Sequence, residues 1–366
     1  MILPSWSGKE QRVRAVVCRE LGNEAAVTVE TVPDPVAGES DVRIAVCASG
    51  VSLANRMMLA GTYQIRPDLP FVPGTEASGV VIGCGAAVTR FRPGDRVTTG
   101  IRHGGFAEQL IAPERNVFAI PDAIDHHVAM QIPMVYGTAY GALKWRARLE
   151  AGETVLVHGA VGDSGMAAVE VARCLGGRVI ATATTEAKAA ACRRHGADVV
   201  INLWEQPFRE AVLAMTEGRG ADVVFDPVGG AVFAESLRCI APEGRLVTMG
   251  FVSGGVPQVP ANILLVKNFD VIGVYWGYYL GWERVAPRPR HPDRVRSSMA
   301  EMLAWCEHGL LRPEVYGRFR LDDFRAALDA LVDANIIGRV ALSPLTEPLI
   351  EQQRLAALAG IPITRP

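Results

Sequence analysis

The sequence lacks the spaced cysteine and histidine pairs that usually build disulfide frameworks and metal sites. Its seven cysteines, an odd number, contain no C-x-x-C pair, and its seven histidines form no H-E-x-x-H or similar motif. We therefore expect no disulfide framework, no bound metal and a reducing, cytoplasmic location. His103 and the pair His126-His127 are expected to have structural roles.

An excess of one charge and a long apolar run are absent as well. Lys and Arg total 37 against 39 Asp and Glu, and the net charge of −2 argues against nucleic acid as the main partner. Residues 271–282 are uncharged but number only 12, short of the ~20 that a membrane helix needs, and the N-terminal segment has no signal-peptide core. With 49% hydrophobic residues, the chain is expected to be a soluble globular protein of about two or three domains.

The first third of the chain is predicted to be rich in β-structure. Short runs of Val and Ala at 14–18, 27–31, 41–48 and 76–83 are separated by polar and turn residues. Residues 91–97 are predicted to be a turn that leads into another strand. This pattern predicts a mostly β domain, folded as a curled barrel.

From Gly152 onward, apolar strands alternate with helical segments. The predicted strands are 153–158, 178–183, 198–201, 221–225, 244–249 and 269–273. Because these strands are apolar without alternation, they predict a parallel sheet covered by helices on both faces. Six such strands predict the doubly wound α/β fold that binds dinucleotides.

The remainder of the chain is predicted to leave this fold again. Helices are expected at 297–308 and 321–334, and the strand 338–342 is expected to return to the first domain. A last helix is expected to begin after Thr346 and to end at Gly360.

A glycine-rich segment, V-H-G-A-V-G-D-S-G at 157–165, connects the first apolar strand of the second half to a helix. Gly162 lets a backbone approach a pyrophosphate, Gly165 lets the helix pack close to the strand, and the helix N-terminus offers N–H groups to the anion. A strand before the loop, a helix after it and a second strand further on are the context in which such loops bind dinucleotides. The alternative is a structural turn without a ligand.

The end of the second strand indicates which nicotinamide cofactor is used. NAD sites usually carry Asp or Glu there to bind the ribose 2′-OH, and this chain has none. The hydroxyls of Thr184 and Thr185 and the ammonium of Lys188 suit a 2′-phosphate instead, which predicts NADPH. The alternative is that Lys188 is a solvated charge on the helix surface. Glu186 is also able to pair with a nearby basic side chain, which weakens the indication.

Seven motifs occur in an order that resembles one known family. They are A-S-G-V-S (48–52), P-F-V-P-G-T-E-A-S-G-V-V (70–81), F-R-P-G-D-R-V (91–97), G-T-A-Y-G-A-L (137–143), A-V-G-D-S-G (160–165), D-P-V-G-G (226–230) and Y-W-G (275–277). On these motifs the chain is similar to the medium-chain dehydrogenases/reductases, and in particular to their zinc-independent NADPH:quinone oxidoreductase (zeta-crystallin-like) branch.

The resemblance implies a Rossmann doubly wound parallel sheet plus a β-rich, GroES-like catalytic domain with a partly open barrel. Residues 1–132 are expected to form the first part of the catalytic domain and residues 133–274 the NADPH-binding domain. Residues 275–366 are expected to return to the catalytic domain and to add a C-terminal helical extension. The resemblance also implies an active site in the cleft between the domains.

Zinc-dependent members of the family carry metal ligands where this chain has Ser52, Asn55 and Thr75, followed by Glu76. The resemblance therefore agrees with the expectation of no metal. Without zinc to stabilise an alkoxide, we expect reductive chemistry in which hydrogen-bond donors serve the oxygen of the acceptor. Tyr63, Asn55 and Ser52 are the expected catalytic residues, and for Tyr63 the alternative is a packed loop aromatic.

The expected cofactor-binding residues combine the loop, the strand ends and the resemblance. They are Thr138, Gly159, Ala160, Val161, Gly162, Asp163, Ser164, Gly165, Thr184, Thr185, Lys188, Gly250, Phe251, Val252 and Trp276. Three positions depart from the family pattern. Asp163 puts an acid beside the pyrophosphate unless it caps the helix, Tyr136 places an aromatic near the nicotinamide, and Leu203 replaces a Tyr that often helps to hold the 2′-phosphate.

Taken together, these residues predict an enzyme that transfers hydride from NADPH to a quinone or to the β-carbon of an α,β-unsaturated carbonyl. One alternative is an enoyl-thioester reductase with a basic entrance for CoA or a carrier protein, for which Arg284, Arg288, Arg290, Arg294 and Arg296 are candidates. Another is a non-catalytic NADPH-binding protein of the crystallin kind. The apolar edge strand 269–273 predicts a homodimer.

Overall fold

The computed structural model describes residues 12–64, 66–282, 291–333 and 335–359. The strands are β1 (Arg12–Cys18), β2 (Val27–Pro33), β3 (Asp41–Val51), β4 (Glu76–Cys84), β5 (Arg96–Gly100), β6 (Gln109–Pro113), β7 (Val117–Ala119), β8 (Thr154–Val157), β9 (Arg178–Ala183), β10 (Val199–Asn202), β11 (Ala221–Asp226), β12 (Ile240–Thr248), β13 (Asp270–Gly273), β14 (Val315–Arg320) and β15 (Arg339–Ser343). The α-helices are α1 (Leu53–Leu59), α2 (His126–Ala129), α3 (Gly137–Tyr140), α4 (Asp163–Cys174), α5 (Glu186–Arg194), α6 (Phe208–Met215), α7 (Gly230–Cys239), α8 (Ala261–Lys267), α9 (Pro292–Glu307), α10 (Phe324–Ala330) and α11 (Glu347–Leu358).

The chain divides into two compact units. The first comprises Met1–Met134, Gly277–Glu307 and Glu314–Pro366, and the second comprises Val135–Trp276 and His308–Pro313. Across the described ranges, no helix combines the length and the apolar character that crossing a membrane requires.

The first unit is a mostly antiparallel β-structure. Its large sheet has the order β14-β15-β3-β4-β5-β7, β6 also pairs with β3, and β1 and β2 form a separate antiparallel pair. β3 is buried along almost its whole length, because strands or core side chains cover both of its faces. β15, near the strand predicted at 338–342, pairs with β3 from the first half of the chain, Val340 lying opposite Val51.

The second unit contains a six-stranded sheet in the order β10-β9-β8-β11-β12-β13, with every pair parallel. All four residues of β8 and all six of β11 are buried, which explains why these strands are apolar without alternation. The order is that of a doubly wound dinucleotide-binding fold, and the fold class predicted from the sequence is confirmed.

The C-terminal helix α11 packs against β3 and β4 of the first unit. Leu349, Ile350 and Ala357 lie against a cluster that contains Ala45 and Ile82. Thr346 occupies the N-cap position, as predicted, but its side chain makes no capping hydrogen bond. Gly360, the predicted end of this helix, lies outside the described residues.

The sequence predicts the second unit better than the last part of the first. The sequence does not predict β14. Its residues are exposed or half-buried and include Gly317 and two arginines, so they form no apolar strand pattern, and its pairing with β15 is visible only in the folded structure. The helix predicted at 321–334 is a 3-10 turn at Leu321–Asp323 followed by the shorter α10. α9 begins at Pro292, earlier than predicted, since proline is tolerated in the first turn of a helix.

Candidate functional site

The predicted phosphate loop lies between β8 and α4, at the carboxyl edge of the parallel sheet. Gly159 has a φ of +58°, in the left-handed region that favours glycine. Gly162 is exposed, and the nearest atom to a Cβ built on it is the Gly159 oxygen at 3.4 Å. The loop therefore leaves backbone surface open at the N-terminus of a 12-residue helix, a feature that binds pyrophosphates.

Gly165 determines how closely α4 approaches this loop. A Cβ on Gly165 would lie 2.1 Å from the carbonyl oxygen of Gly159 and 2.8 Å from the Cα of Ala160. Any side chain would push the helix away from the loop. The close packing predicted for Gly165 is therefore present.

Asp163 is not the N-cap residue of α4. The capping hydrogen bond that would turn its carboxylate away from the pyrophosphate is therefore not formed. Gly162 is the N-cap residue and supplies no side-chain hydrogen bond, whereas Asp163 is the first helical residue and is half-buried. A carboxylate at this position interacts favourably with the helix dipole.

Two further segments lie beside the phosphate loop. A Cβ on Gly159 would contact Val228 at 3.6 Å, and the N–H of Val252 donates to the oxygen of Pro227 at 3.1 Å. The loop at 158–165, the turn at 226–230 and the segment at 250–252 thus meet at one edge of the sheet. Gly250, Phe251 and Val252, predicted from the sequence, are brought to the phosphate loop in this way.

Asp226 and Thr248 were not predicted, and they end neighbouring strands at this edge. The Oδ1 of the fully buried Asp226 accepts from the N–H groups of Val228 at 2.8 Å and Gly229 at 3.0 Å, which fixes the turn. Its Oδ2 and the hydroxyl of Thr248 are buried without a hydrogen-bond partner among the described residues. Burial raises the pKa of Asp226. An Asp directly after a predicted apolar strand was the available signal.

The predicted 2′-phosphate residues lie where β9 ends and α5 begins. Thr184 and Thr185 are exposed and Lys188 is half-buried. Thr185 is the N-cap of α5, and its hydroxyl accepts from the N–H of Lys188 at 3.3 Å, which leaves the hydroxyl proton available. Glu186 is paired with Arg193 at 2.6 Å, as the sequence allowed.

Trp276 is a buried packing residue of the second unit. A Cβ on Gly137 or on Gly141 would lie 2.7 Å from its indole, so the two glycines form a flat surface on which the ring rests. The ring of Trp145 lies 5.3 Å from that of Trp276. Thr138 follows Gly137 on the same helix and is half-buried.

Tyr136 is tied to the second unit through its hydroxyl. It is almost fully buried and donates to the Oε2 of Glu170 on α4 at 2.7 Å. Glu170 also accepts from His195 at 2.6 Å and from the N–H of Arg312 at 3.0 Å. These bonds connect Tyr136, His195 and Arg312 to α4 through Glu170.

Ser52 and Asn55 form a reciprocal capping box at the start of α1 in the first unit. The Oδ1 of Asn55 accepts from the N–H of Ser52 at 2.9 Å and from its hydroxyl at 2.8 Å, and the Asn55 N–H donates back to that hydroxyl at 3.2 Å. Asn55 is fully buried, and its Nδ2 has no partner among the described residues. One buried amide donor is thus left for a bound molecule.

Tyr63 follows the C-terminal end of α1 and is half-buried. Its ring packs against a core cluster that includes Met58 and Phe71. Within the described ranges its hydroxyl takes part in no hydrogen bond, and burial raises the pKa of the phenol, which keeps it protonated. The packing alternative therefore describes the ring, while the hydroxyl remains available as a donor.

Thr75, at the third position that holds a metal ligand in zinc-dependent relatives, and the Glu76 that follows it are both buried. Glu76 is fully buried and accepts from the Nε of Arg339 at 2.9 Å, and Thr75 is 7% exposed. Over the parts of the chain that the structure covers, no group of three or more His, Cys, Asp or Glu side chains is arranged to hold a metal ion. That the protein contains no zinc stays a prediction.

Two of the three singled-out histidines have partners typical of structural residues, whereas the buried Nδ1 of His126 has no hydrogen-bond partner among the described residues. His103 lies edge-on to Phe71 with ring centroids 6.1 Å apart. His127 contacts Asp125 at 3.1 Å and the hydroxyl of Ser343 at 2.8 Å, which links α2 to β15.

Two family models match the chain. The alcohol dehydrogenase GroES-like domain matches residues 38–122, and a model described as zinc-binding dehydrogenase matches residues 165–288. The description of the second model names zinc. The three positions that hold metal ligands in zinc-dependent relatives, Ser52, Asn55 and Thr75, lie outside that match and within the first one.

Similar proteins cover nearly the whole chain. The quinone oxidoreductase-like protein 2 of Rattus norvegicus is 36% identical over 349 residues, which is 93% of this chain and 96% of the relative. The quinone oxidoreductase of Pseudomonas aeruginosa is 31% identical over 309 residues, 84% of this chain and 92% of that protein. Among solved structures, the Thermus thermophilus quinone oxidoreductase, also solved in complex with NADPH, has a TM-score of 0.75 at 31% identity, over 90% of this chain and 99% of that one.

The fold, the family-model matches and the similar proteins define an oxidoreductase of the medium-chain dehydrogenase/reductase type. The chain belongs to that superfamily, in its quinone oxidoreductase branch, and the resemblance stated from the motifs is confirmed.

Proposed function

We propose that the protein is a zinc-independent reductase that uses NADPH to reduce a quinone or an α,β-unsaturated carbonyl. The observation that carries this proposal is the Ser52–Asn55 capping box. Two positions that hold metal ligands in zinc-dependent relatives are here bonded to each other, and neutral amide and hydroxyl groups are poor zinc ligands. Oxidation of an alcohol without a metal to stabilise the alkoxide is unfavourable, whereas reduction of an activated acceptor needs only hydrogen bonds and a proton.

The second unit fits NADPH. The open backbone at Gly162 and the N-terminus of α4 suit the pyrophosphate, and Thr184, Thr185 and Lys188 suit the 2′-phosphate. When bound, NADPH supplies the hydride. The segments 226–230 and 250–252, which lie beside the phosphate loop, are the chain's candidates for holding the nicotinamide half.

The first unit supplies the hydrogen-bond donors. Hydride addition to the acceptor leaves negative charge on its oxygen, and fixed neutral donors stabilise such a charge. Asn55 Nδ2 is oriented by the two bonds from Ser52 to its Oδ1, so we assign Asn55 as a donor and Ser52 as the residue that positions it. Tyr63 keeps its proton and is assigned the proton donation that completes the reduction.

We also propose a homodimer. β13 lies at the edge of the parallel sheet, and the neighbouring α8 exposes Leu265 at 74% and Val266 at 77%. An exposed strand edge beside apolar side chains needs a cover, and a second copy of the same edge supplies one. Light scattering at micromolar concentration tests this: a dimer mass is expected, and a monomer mass contradicts the proposal.

The cytoplasmic location remains part of the proposal and rests on seven cysteines, all of them free.

The enoyl-thioester alternative relies on a group of arginines that the structure describes only in part. Arg284, Arg288 and Arg290 lie outside the described residues. Arg294 and Arg296 are exposed on α9, where Arg296 pairs with Asp293.

Acceptor classes are compared directly by following NADPH oxidation with quinones, enones and enoyl-CoA thioesters side by side. We expect the highest kcat/KM with a quinone or an enone. A preference for enoyl-CoA establishes the thioester alternative, and no oxidation with any acceptor despite NADPH binding establishes the non-catalytic one.

A further inference from the structure

Trp204 stands out in the second unit because it is 80% exposed. Tryptophan is usually among the more buried residues, so this exposure calls for a partner. The side chain is presented on an ordered turn: the N–H of Trp204 donates to the Oδ1 of Asn202 at 3.1 Å, and the Nδ2 of Asn202 donates to Glu205 at 2.7 Å. These bonds order the backbone of the turn from which the indole projects.

The turn lies beside the predicted 2′-phosphate residues. The N–H of Leu203 donates to the oxygen of Ala183 at 2.8 Å, which joins the turn after β10 to the end of β9. Asn202 and Ala183 are also register partners in the parallel pair. Thr184 and Thr185 follow Ala183 directly, and Trp204 follows Asn202 by two residues. The two turns therefore leave adjacent strands, which are ~4.8 Å apart.

The order of the sheet determines which half of a dinucleotide reaches this place. The pyrophosphate binds at the loop after the first strand, β8, and the ribose of the adenosine half binds at the end of the next strand, β9. β10 is the neighbour of β9 on the side away from β8, so a base that continues in this direction reaches the end of β10. An indole at the end of β10 offers a flat apolar surface to a purine.

We propose that Trp204 stacks on the adenine base of the bound cofactor, an inference that rests on the proposed use of NADPH. Stacking on a base involves its π-face and does not involve the 2′-phosphate. Trp204 therefore strengthens the binding of NADPH and NADH equally, while Thr184, Thr185 and Lys188 discriminate between them. In this division of roles, one residue contributes affinity and the other three contribute specificity.

The test measures binding of 2′,5′-ADP, the adenosine half alone, by calorimetry with Trp204→Ala and Trp204→Phe. Base stacking on an aromatic side chain contributes about 1–3 kcal/mol, so Trp204→Ala should weaken binding about fivefold or more. Trp204→Phe should retain most of the affinity, and it should lose the quenching of tryptophan fluorescence that 2′,5′-ADP causes in the unmodified protein. Leu310→Ala, which shortens a side chain 57% exposed in the same unit, is the matched control.

The outcomes separate this inference from the proposed function. If the unmodified protein binds 2′,5′-ADP and Trp204→Ala binds it equally well, the stacking role is wrong while the NADPH site stands. A loss for NADPH much larger than that for NADH also contradicts it, because stacking treats both cofactors alike. If the unmodified protein binds neither 2′,5′-ADP nor NADPH, the proposed function fails and this inference fails with it.

Discussion

Ser52 determines the orientation of the Asn55 carboxamide. Both the backbone N–H and the hydroxyl of Ser52 approach the same Asn55 atom, at 2.9 Å and 2.8 Å. A backbone N–H only donates, so that atom must be the amide oxygen, and the nitrogen is turned to the side on which no described residue receives it. The capping box that begins α1 therefore also presents a donor.

The first prediction concerns this donor. Asn55→Asp keeps an oxygen for the bonds from Ser52 but replaces the Nδ2 donor with a second oxygen. We expect kcat with an enone to fall by about 100-fold, the usual cost of losing one donor to a developing oxyanion, while the Kd of NADPH stays the same. Steady-state kinetics and fluorescence titration measure the two quantities.

Ser52→Ala is the control for that substitution. It removes a helix cap at a cost of about 1 kcal/mol in stability, but it leaves the Nδ2 of Asn55 in place. We expect a lower Tm and a smaller loss of kcat than in Asn55→Asp. Equal activity in Asn55→Asp and the unmodified protein would exclude Asn55 as a donor.

The second prediction concerns Tyr63, whose ring packs in the core while its hydroxyl stays available. Tyr63→Phe keeps the ring and should retain the Tm. We expect kcat with an enone to fall about tenfold to 100-fold, because water substitutes only partly for the lost donor. The loss with a quinone should be smaller, since its reduced oxygen is a weaker base, and NADPH affinity should hardly change. If Tyr63→Phe turns over every acceptor as fast as the unmodified protein, Tyr63 has only a packing role.

The third prediction concerns cofactor choice. NADPH should bind more tightly than NADH, and Lys188→Ala should weaken NADPH binding about tenfold or more, since a charge-assisted contact to phosphate contributes ~1.5–3 kcal/mol. NADH binding should change little. Arg193→Ala is a suitable control, because it removes a nearby cation whose guanidinium already pairs with Glu186. Equal affinity of the unmodified protein for both cofactors is the contradicting result.

The fourth prediction is a pH dependence of stability that arises at His158. This side chain is buried next to the phosphate loop, contacts the hydroxyl of Ser236 at 2.8 Å, and burial lowers its pKa to about 3. The unfolded chain takes up this proton below pH ~6.5, whereas the folded chain does not, so stability is lost as the pH falls from ~6.5 towards 3. The loss reaches up to about 1.4 kcal/mol per pH unit.

His158→Gln tests this contribution, because glutamine does not titrate. Chemical denaturation at pH 7 and at pH 5 should show a smaller loss of stability in the variant than in the unmodified protein. His291→Gln, a change at an exposed histidine just before α9, serves as the control and should leave the difference between the two pH values close to that of the unmodified protein. If His158→Gln and the unmodified protein show the same pH dependence of stability, His158 does not cause it.

The second unit was predictable because its signals are local. Continuous apolar strands, such as the fully buried β8, and a glycine loop before a helix can be identified within a short stretch of sequence. The S-x-x-N spacing of Ser52 and Asn55 is local too, and it signals a helix cap, although here the two residues attracted attention only through the family's zinc positions.

What the sequence did not indicate depends on residues that are far apart in the chain. Trp276 rests on Gly137 and Gly141, and the ion pair of Glu76 with Arg339 joins strands from opposite ends of the chain. That the Oδ2 of Asp226 is buried without a hydrogen-bond partner among the described residues follows only from the folded structure. Such contacts are set by tertiary packing, which single-sequence patterns do not contain.

The most direct test of the account measures NADPH oxidation and zinc content in the same sample, before and after dialysis against a chelator. Ser52, Asn55 and Thr75 predict far less than one zinc per chain and unchanged turnover of a quinone or an enone after chelation. Zinc close to one per chain, with activity that is lost on chelation and restored by added zinc, would contradict the central claim.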